Sequence, residues 1–310
     1  MPTLTLGWMT HPPADYLGGA LAVGNFDGVH RGHAALIAAA KRLGRPAIAV
    51  TFDPPPVALL HPPSIQPPLT TNEDRAALLH EAGADAVVML RTDPGLLSLT
   101  PEAFFEDVVR HLFEAKAMAE GYNFRFGRQR IGDVETLRAL CVQHGLALDV
   151  VPPVLDGGEP ISSSRIRSAL ANGDVANAGR WLNRTYSICG IVEAGAKRGR
   201  TIGFPTANLG HVRTLIPKDG VYAGRVGEYS AAVNIGPNPT FGEFAKKIEV
   251  HLLDFTGDLY GQELKLDFVK RLRDTRPFAG VSELKEQLIR DIEAARKSIS
   301  EPEASATMPN

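Results

Sequence analysis

ALAVGNFDGVHRGHAALIAAAKRLG, residues 20–44, decides how the first half of this chain folds. Four apolar residues from Ala20 read as a short buried strand, which Gly24 and the polar turn before Gly28 break. An amphipathic helix is expected from about His33 to Leu43, with Gly44 as a left-handed cap. A strand that turns directly into a helix opens a parallel α/β unit. His30 and His33 stand three apart at the helix start, where unsatisfied N–H groups and the dipole favour an anion. Taken alone, the pair serves equally well to cap or pack the first turn.

The same rhythm recurs downstream. AIAVTF ends at Phe52, and Thr71 or Asn72 caps a helix that Gly83 stops. Asp85 to Leu90 gives a third strand. Thr100 and Pro101 open a helix in N-cap and first-turn positions. A short strand near Lys116 to Glu120 follows, then a helix from Asp133 to Gly145, then the strand LALDVVP. Five such repeats predict a parallel, Rossmann-like sheet wrapped by helices. Ligands of such sheets gather at the carboxyl ends of the strands, where the loops after Gly24, Glu120 and Pro153 converge.

Past Trp181 the texture changes. SICGIV, VYAGRV, AAVNIG and IEVHLLDF are spaced like antiparallel strands of a small barrel or sandwich. VSELKEQLIRDIEAARKSI is the one strong helical pattern, with Leu284, Leu288 and Ile292 on one face. The expected division is residues 1–180, residues 181–300 and a frayed, disordered tail over 301–310.

With 310 residues the chain is long enough for two domains at roughly 150 residues each. Its 44% hydrophobic and 22% charged composition excludes collagen-like and wholly disordered classes. No apolar run approaches membrane-span length and the start lacks a signal pattern, so no membrane partner is expected. The net charge of -2, from 33 basic and 35 acidic residues, offers no field for nucleic acid. Cys141 and Cys189 fall in different expected domains, which argues against a disulfide or zinc framework and for a reducing cytoplasm.

Two further segments carry phosphate chemistry. ISSSRIR, residues 161–167, brings three hydroxyls, helix-start N–H groups and two arginines together, enough to hold a triphosphate. GAKRGRTIGFPTAN, residues 195–208, fails as a Walker A loop, because Gly195 and Gly199 enclose too few residues and Arg200 precedes Thr201. It offers a glycine-rich loop with three cations, then the Thr206 hydroxyl and Asn208 amide, hard donors suited to Mg2+. Thr206 serves equally as a turn cap.

GNFDGVHRGH, TFDP, GYNFRFG and ISSSRIR together resemble the FMN adenylyltransferase module of bacterial bifunctional riboflavin kinase/FAD synthetases, over about residues 15–175. The resemblance implies a nucleotidyltransferase domain that moves AMP from ATP to FMN, giving FAD and pyrophosphate. His30 and His33 would stabilise charge at the α-phosphorus, and Arg167 with Ser163 and Ser164 would hold the outer phosphates. Gly24 and Phe26 join the ATP site on the same basis, and Asn123, Phe124 and Phe126 lie flavin-side. Phe124 and Phe126 also read as core aromatics, and Asp27 as a turn residue rather than a metal ligand. Pro54, Pro55 and Pro56 stand where family members commonly carry a histidine.

GFPTAN, GVYAGRV, VNIGPNPTF, IEVHLLDF, DLYG and LRD resemble, in that order, the riboflavin kinase domain over about residues 184–297. Leu182-Asn183-Arg184-Thr185 departs from the family's usual L-G-R-P linker. The resemblance implies a six-stranded antiparallel β-barrel with a C-terminal helix. Its reaction is phosphorylation of the ribityl 5′ hydroxyl of riboflavin by MgATP. Gly203, Thr206 and Asn208 would carry ATP and Mg2+, Glu249 would be the general base, and Arg273 would reach phosphate or flavin. An alcohol must lose a proton on phosphorylation, whereas the phosphate of FMN is already a nucleophile.

Alternation sets Glu249 and His251 opposite Ile248, Val250 and Leu252. Without the surrounding motifs Glu249 reads as a solvent-facing partner of Lys246 or Lys247. The implied partners are riboflavin, FMN and ATP, with FAD as product, in a monomer or weak homo-oligomer. Two alternatives stand beside this reading: a kinase with a degenerate N-terminal module, and a non-catalytic flavin-binding regulator.

Overall fold

The computed structural model describes residues 3–60, 66–194, 203–238 and 243–300. The cationic stretch 195–202, residues 239–242 and the tail expected to fray at 301–310 lie outside the described residues. The chain divides into two compact units, Met1–Ser163 and Ser164–Asn310.

The first unit runs β1 (Thr3–Gly7), β2 (Ala20–Val23), α1 (Arg31–Leu43), β3 (Ala47–Asp53), α2 (Pro56–Leu60), α3 (Asn72–Glu81), β4 (Ala86–Arg91), α4 (Pro94–Ser98), α5 (Pro101–Phe104), β5 (Ala117–Gly121), α6 (Val134–His144) and β6 (Ala147–Val151). A two-stranded ribbon, β7 (Leu155–Asp156) with β8 (Glu159–Pro160), precedes α7 (Ser163–Ala171), whose first residue closes the unit. The six main strands form one sheet in the order β1-β4-β3-β2-β5-β6, parallel throughout.

Alternation explains its two faces. Ala20, Ala22, Ala47 and Ala49 form a small-residue surface that packs with Ile37, Ala39 and Ala40 of α1. Leu21, Val23, Ile48 and Val50 face the other way, onto Phe104, Phe105 and Phe113. At Gly19 a Cβ would sit 1.9 Å from the Pro46 carbonyl oxygen, so only glycine permits that approach at the start of β2.

Three local expectations are corrected. Strand β1 lies ahead of the five expected, a five-residue edge strand beside β4 whose Thr-Leu alternation leaves it half exposed. Gly44 ends α1 in extended backbone (φ 173°) rather than left-handed. The helix opened by Thr100, whose Oγ1 accepts from Ala103 N–H, widens into a π-helix over Phe105–Leu112. The wider turn turns Phe105, Val108, Val109 and Leu112 all inward.

The second unit holds the rest of α7, then α8 (Val175–Leu182), β9 (Tyr186–Glu193), β10 (Ala207–Gly210), β11 (Gly220–Val226), β12 (Tyr229–Asn238), β13 (Glu243–Leu252), β14 (Glu263–Arg273) and α9 (Val281–Ser300). Strands β9 to β14 close into a six-stranded antiparallel barrel in the order β10-β13-β12-β11-β14-β9, β9 returning to β10. Tyr186, Ile188 and Val192 alternate inward with Leu264, Leu266 and Phe268. Helix α9 packs on β11, β12 and β14 with Leu284 and Ala295 buried.

Arg273 fixes α9 to β14. Its Nε and Nη2 donate to the two carboxylate oxygens of Asp291 at 2.8 and 2.7 Å, and Nη1 donates to the Asp274 carbonyl oxygen. Asp291 is 6% exposed, so removing the arginine leaves a buried carboxylate with the Gln287 amide as its remaining side-chain donor and no cation. Arg273→Ala is expected to cost about 2–3 kcal/mol, read as a lower melting temperature. An unchanged melting temperature would mean the pair does not hold the helix.

Candidate active sites

Between β2 and α1 the backbone takes an unusual path, with positive φ at Phe26 (47°), Gly28 (83°) and Val29 (40°). Side chains from elsewhere hold it. The Asp27 carboxylate accepts from Leu69 N–H at 2.9 Å and from Thr70 N–H at 3.3 Å, and the Thr70 hydroxyl accepts in turn from Gly28 N–H. Arg75, 2% exposed, lies 3.8 Å from Asp27 and donates to the Thr51 hydroxyl, which donates to Asn25 O. The Ser163 hydroxyl closes the set by donating to Asp27 O at 2.8 Å. Asp27 is thus a loop anchor, and among the described residues no cluster of three His, Cys, Asp or Glu side chains could hold a metal.

The loop delivers His30 and His33 as a stacked pair, ring centroids 3.6 Å apart and planes 18° from parallel. His30 is the N-cap of α1, its Nδ1 accepting from His33 N–H at 3.3 Å, which places the ring proton on Nε2. Capping spends only Nδ1 of the His30 ring and leaves Nε2 outside the cap. A Cβ at position 32 would come within 3.1 Å of the His30 ring, which explains Gly32.

The buried Phe26 ring meets His33 edge-on at 5.2 Å. Burial, then His30, then Arg75 hold the His33 imidazole well below its usual range, so it is neutral. Its Nδ1 is buried without a hydrogen-bond partner among the described residues.

In the GYNFRFG loop Asn123 is exposed, Phe124 half-buried and Phe126 6% exposed. The two phenyl rings stack at 5.4 Å, and Phe126 also packs on Phe104, so Phe126 serves as core. Ser163 joins the Asp27 loop. Ser164 is exposed on α7, and Arg167, half-buried, stands one turn on from Ser163 along that helix. Arg165 instead lies over the Trp181 ring, 4.2 Å from its centroid.

In the barrel, Glu249 of β13 stands in register with Asn208 of β10 on one side and Asn234 of β12 on the other. Asn234 Nδ2 donates to Glu249 Oε2 at 3.4 Å, and Glu249 is half-buried. Ile248, Val250 and Leu252 point inward, as the alternation requires. Lys246 pairs with Asp219 at 2.9 Å. Thr206 lies at the entrance to β10 and lines a cavity of about 90 Å³ with Val192, Val250, Phe255 and Tyr260. His251 Nδ1 donates to Pro205 O at 2.7 Å, tying the Pro-Thr-Ala-Asn segment to the strand that bears Glu249. Gly203, at φ 91°, opens that segment.

Sequence reasoning set His251 on the face of Glu249 without its bond to Pro205, and missed Asn234, Thr70 and Arg75. Their signal is strand register and contact between distant segments, which no local pattern displays.

Two family models match the chain, FAD synthetase over residues 13–165 and riboflavin kinase over residues 182–299. The bifunctional riboflavin kinase/FMN adenylyltransferase of Escherichia coli K12 is 38% identical over 290 residues, covering 90% of this chain and 92% of its own. The Bacillus subtilis protein of the same name is 36% identical with the same coverage. A solved structure from Streptococcus pneumoniae, described as a macrolide-efflux protein, superposes with a TM-score of 0.84 at 31% identity, covering 95% of this chain and 98% of that one. Among the described residues no helix is long and apolar enough to cross a membrane. With both modules matched in order and more than a third of positions shared along nine-tenths of the chain, this protein belongs to the bifunctional riboflavin kinase/FMN adenylyltransferase family.

Proposed function

We propose that the two activities of this family are housed separately, riboflavin phosphorylation in the barrel of residues 181–300 and FMN adenylylation in residues 1–180. The protein makes FMN from riboflavin and ATP, then FAD from FMN and a second ATP. The observation that carries the division is the barrel register: Asn208 of the Pro-Thr-Ala-Asn segment stands directly across from Glu249, so an ATP-side amide and a carboxylate share one face.

In the barrel, Glu249 takes the proton of the ribityl 5′ hydroxyl as that oxygen bonds to the γ-phosphorus and ADP departs. Asn234 steadies the carboxylate from the neighbouring strand. Thr206 and Asn208 supply neutral oxygen donors that would hold Mg2+, which when bound would neutralise charge on the transferring phosphoryl group. Arg273, whose guanidinium Asp291 holds in a fixed orientation, reaches toward phosphate or flavin on the family resemblance.

In the first unit a phosphate oxygen of FMN attacks the α-phosphorus and pyrophosphate leaves. His30 Nε2–H and His33 face the charge that develops there. Gly24 and the backbone at Phe26 shape the nucleotide loop, Ser163 lies toward the outer phosphates, and Asn123 with Phe124 borders the flavin. Two cysteines in 310 residues, Cys141 in the first unit and Cys189 in the second, suit a reducing cytoplasm, where the enzyme works as a monomer or weak homo-oligomer.

The test is incubation of the purified protein with riboflavin and MgATP, with the flavins separated over time. FMN followed by FAD is expected. FMN alone would leave a kinase with an inert first module, and unchanged riboflavin would leave a flavin-binding regulator.

A further inference from the structure

The parallel sheet opens at one place. Strand β2 stays paired with β3 through Val23↔Val50, and β5 stays paired with β6 through Gly121↔Val151. Between β2 and β5 the ladder registers only Ala20↔Ala117 and Leu21↔Met118. Continuing that register would set Val23 beside Glu120. There Val23 N–H donates instead to the Glu120 side chain, Oε1 at 2.8 Å. The carboxyl therefore stands in the gap between the strand ends.

This is also the topological switch point. From β2 the chain winds through β3 to β4 on one side and returns to β5 on the other, which is where an open α/β sheet leaves a crevice for its ligand. Val23 is the last residue before the His30 loop, and Glu120 the last strand carboxylate before the GYNFRFG loop. Glu120 is 1% exposed. Burial holds its carboxyl well above the usual carboxylate range, with the Val23 N–H acting the other way. A carboxyl 1% exposed, and close enough to the Cys141 thiol to join burial in pushing that thiol up, is costly where an apolar side chain would pack freely, so a role for the oxygen is called for.

We infer that Glu120 is a positioning residue of the adenylyltransferase site, its carboxyl setting the separation between the loop that takes ATP phosphates and the loop that borders FMN. The inference rests on the proposed site in the first unit. Its effect falls on substrate alignment: the reacting phosphate and the α-phosphorus are brought by two loops whose roots Glu120 joins.

Two variants test it. Glu120→Asp draws the carboxyl back from Val23 N–H by one methylene, while Glu120→Gln keeps both length and acceptor oxygen. With purified full-length protein, KM for ATP and for FMN in FAD formation is expected to rise about tenfold in the aspartate variant, the effect of one weakened buried hydrogen bond. Riboflavin phosphorylation by the same sample should be unchanged, and glutamine should rescue both KM values to within about twofold. Wild-type KM values in Glu120→Asp would overturn the inference. So would a fall in both activities that tracks a lowered melting temperature, which marks a purely structural residue. If the unaltered protein forms no FAD from FMN, the site reading itself fails and takes the inference with it.

Discussion

Glu249→Ala is expected to cut FMN formation by about 10²–10⁴-fold, the usual worth of a positioned general base, while conversion of supplied FMN to FAD continues. The barrel geometry gives the reason. Glu249 lies on the polar side of β13, half-buried, flanked in register by Asn208 and Asn234. Its neighbours on the strand face the other way into the core, so truncation leaves Ile248, Val250 and Leu252 in place. Glu249→Gln sharpens the point, because the amide preserves the contact with Asn234 but accepts no proton. Equal losses in the two variants assign the effect to proton transfer. A glutamine variant that phosphorylates riboflavin at the original rate would mean the proton leaves by another route.

The mirror-image result is expected at the stacked histidines. His30→Asn should lower FAD formation from FMN by about 10²–10³-fold, comparable to removing a preorganised donor at a charged transition state, and leave riboflavin phosphorylation unaffected. Asparagine is chosen because His30 caps α1 through Nδ1. Asparagine is itself a strong N-cap, so the helix start survives while the Nε2 donor is lost. Alanine would add a capping loss of about 1 kcal/mol and blur the interpretation. Should His30→Asn retain full FAD synthesis, the histidine is a cap and nothing more.

The fold was legible where one residue class repeats at short range. Ala20, Leu21, Ala22 and Val23, answered by Ala47, Ile48, Ala49 and Val50, announce adjacent strands with one small and one bulky face. Thr100 and Asp133 cap the helices they were expected to cap, and of Thr71 and Asn72 it is Thr71 that caps its helix. Strand β1 escaped because five half-exposed edge residues make little pattern, and the π-helix because its opening turn is indistinguishable from an α-helix start.

The site was legible in its motifs and opaque in its supports. Asp27 is tied to Leu69 and Thr70, and Glu249 to Asn208 and Asn234, by pairings that only the folded chain creates. Arg75 sits in a polar helix that reads as surface yet is almost wholly buried beside Asp27. Glu120 reads as an interruption of an apolar strand until the opening between β2 and β5 gives its carboxyl a place.

The most direct test mixes the two disabled proteins. Neither Glu249→Ala nor His30→Asn should yield FAD from riboflavin and MgATP alone, yet an equimolar mixture should, as FMN released by the intact barrel of one is adenylylated by the intact first unit of the other. A mixture that stays as inactive as its components would contradict two self-sufficient sites.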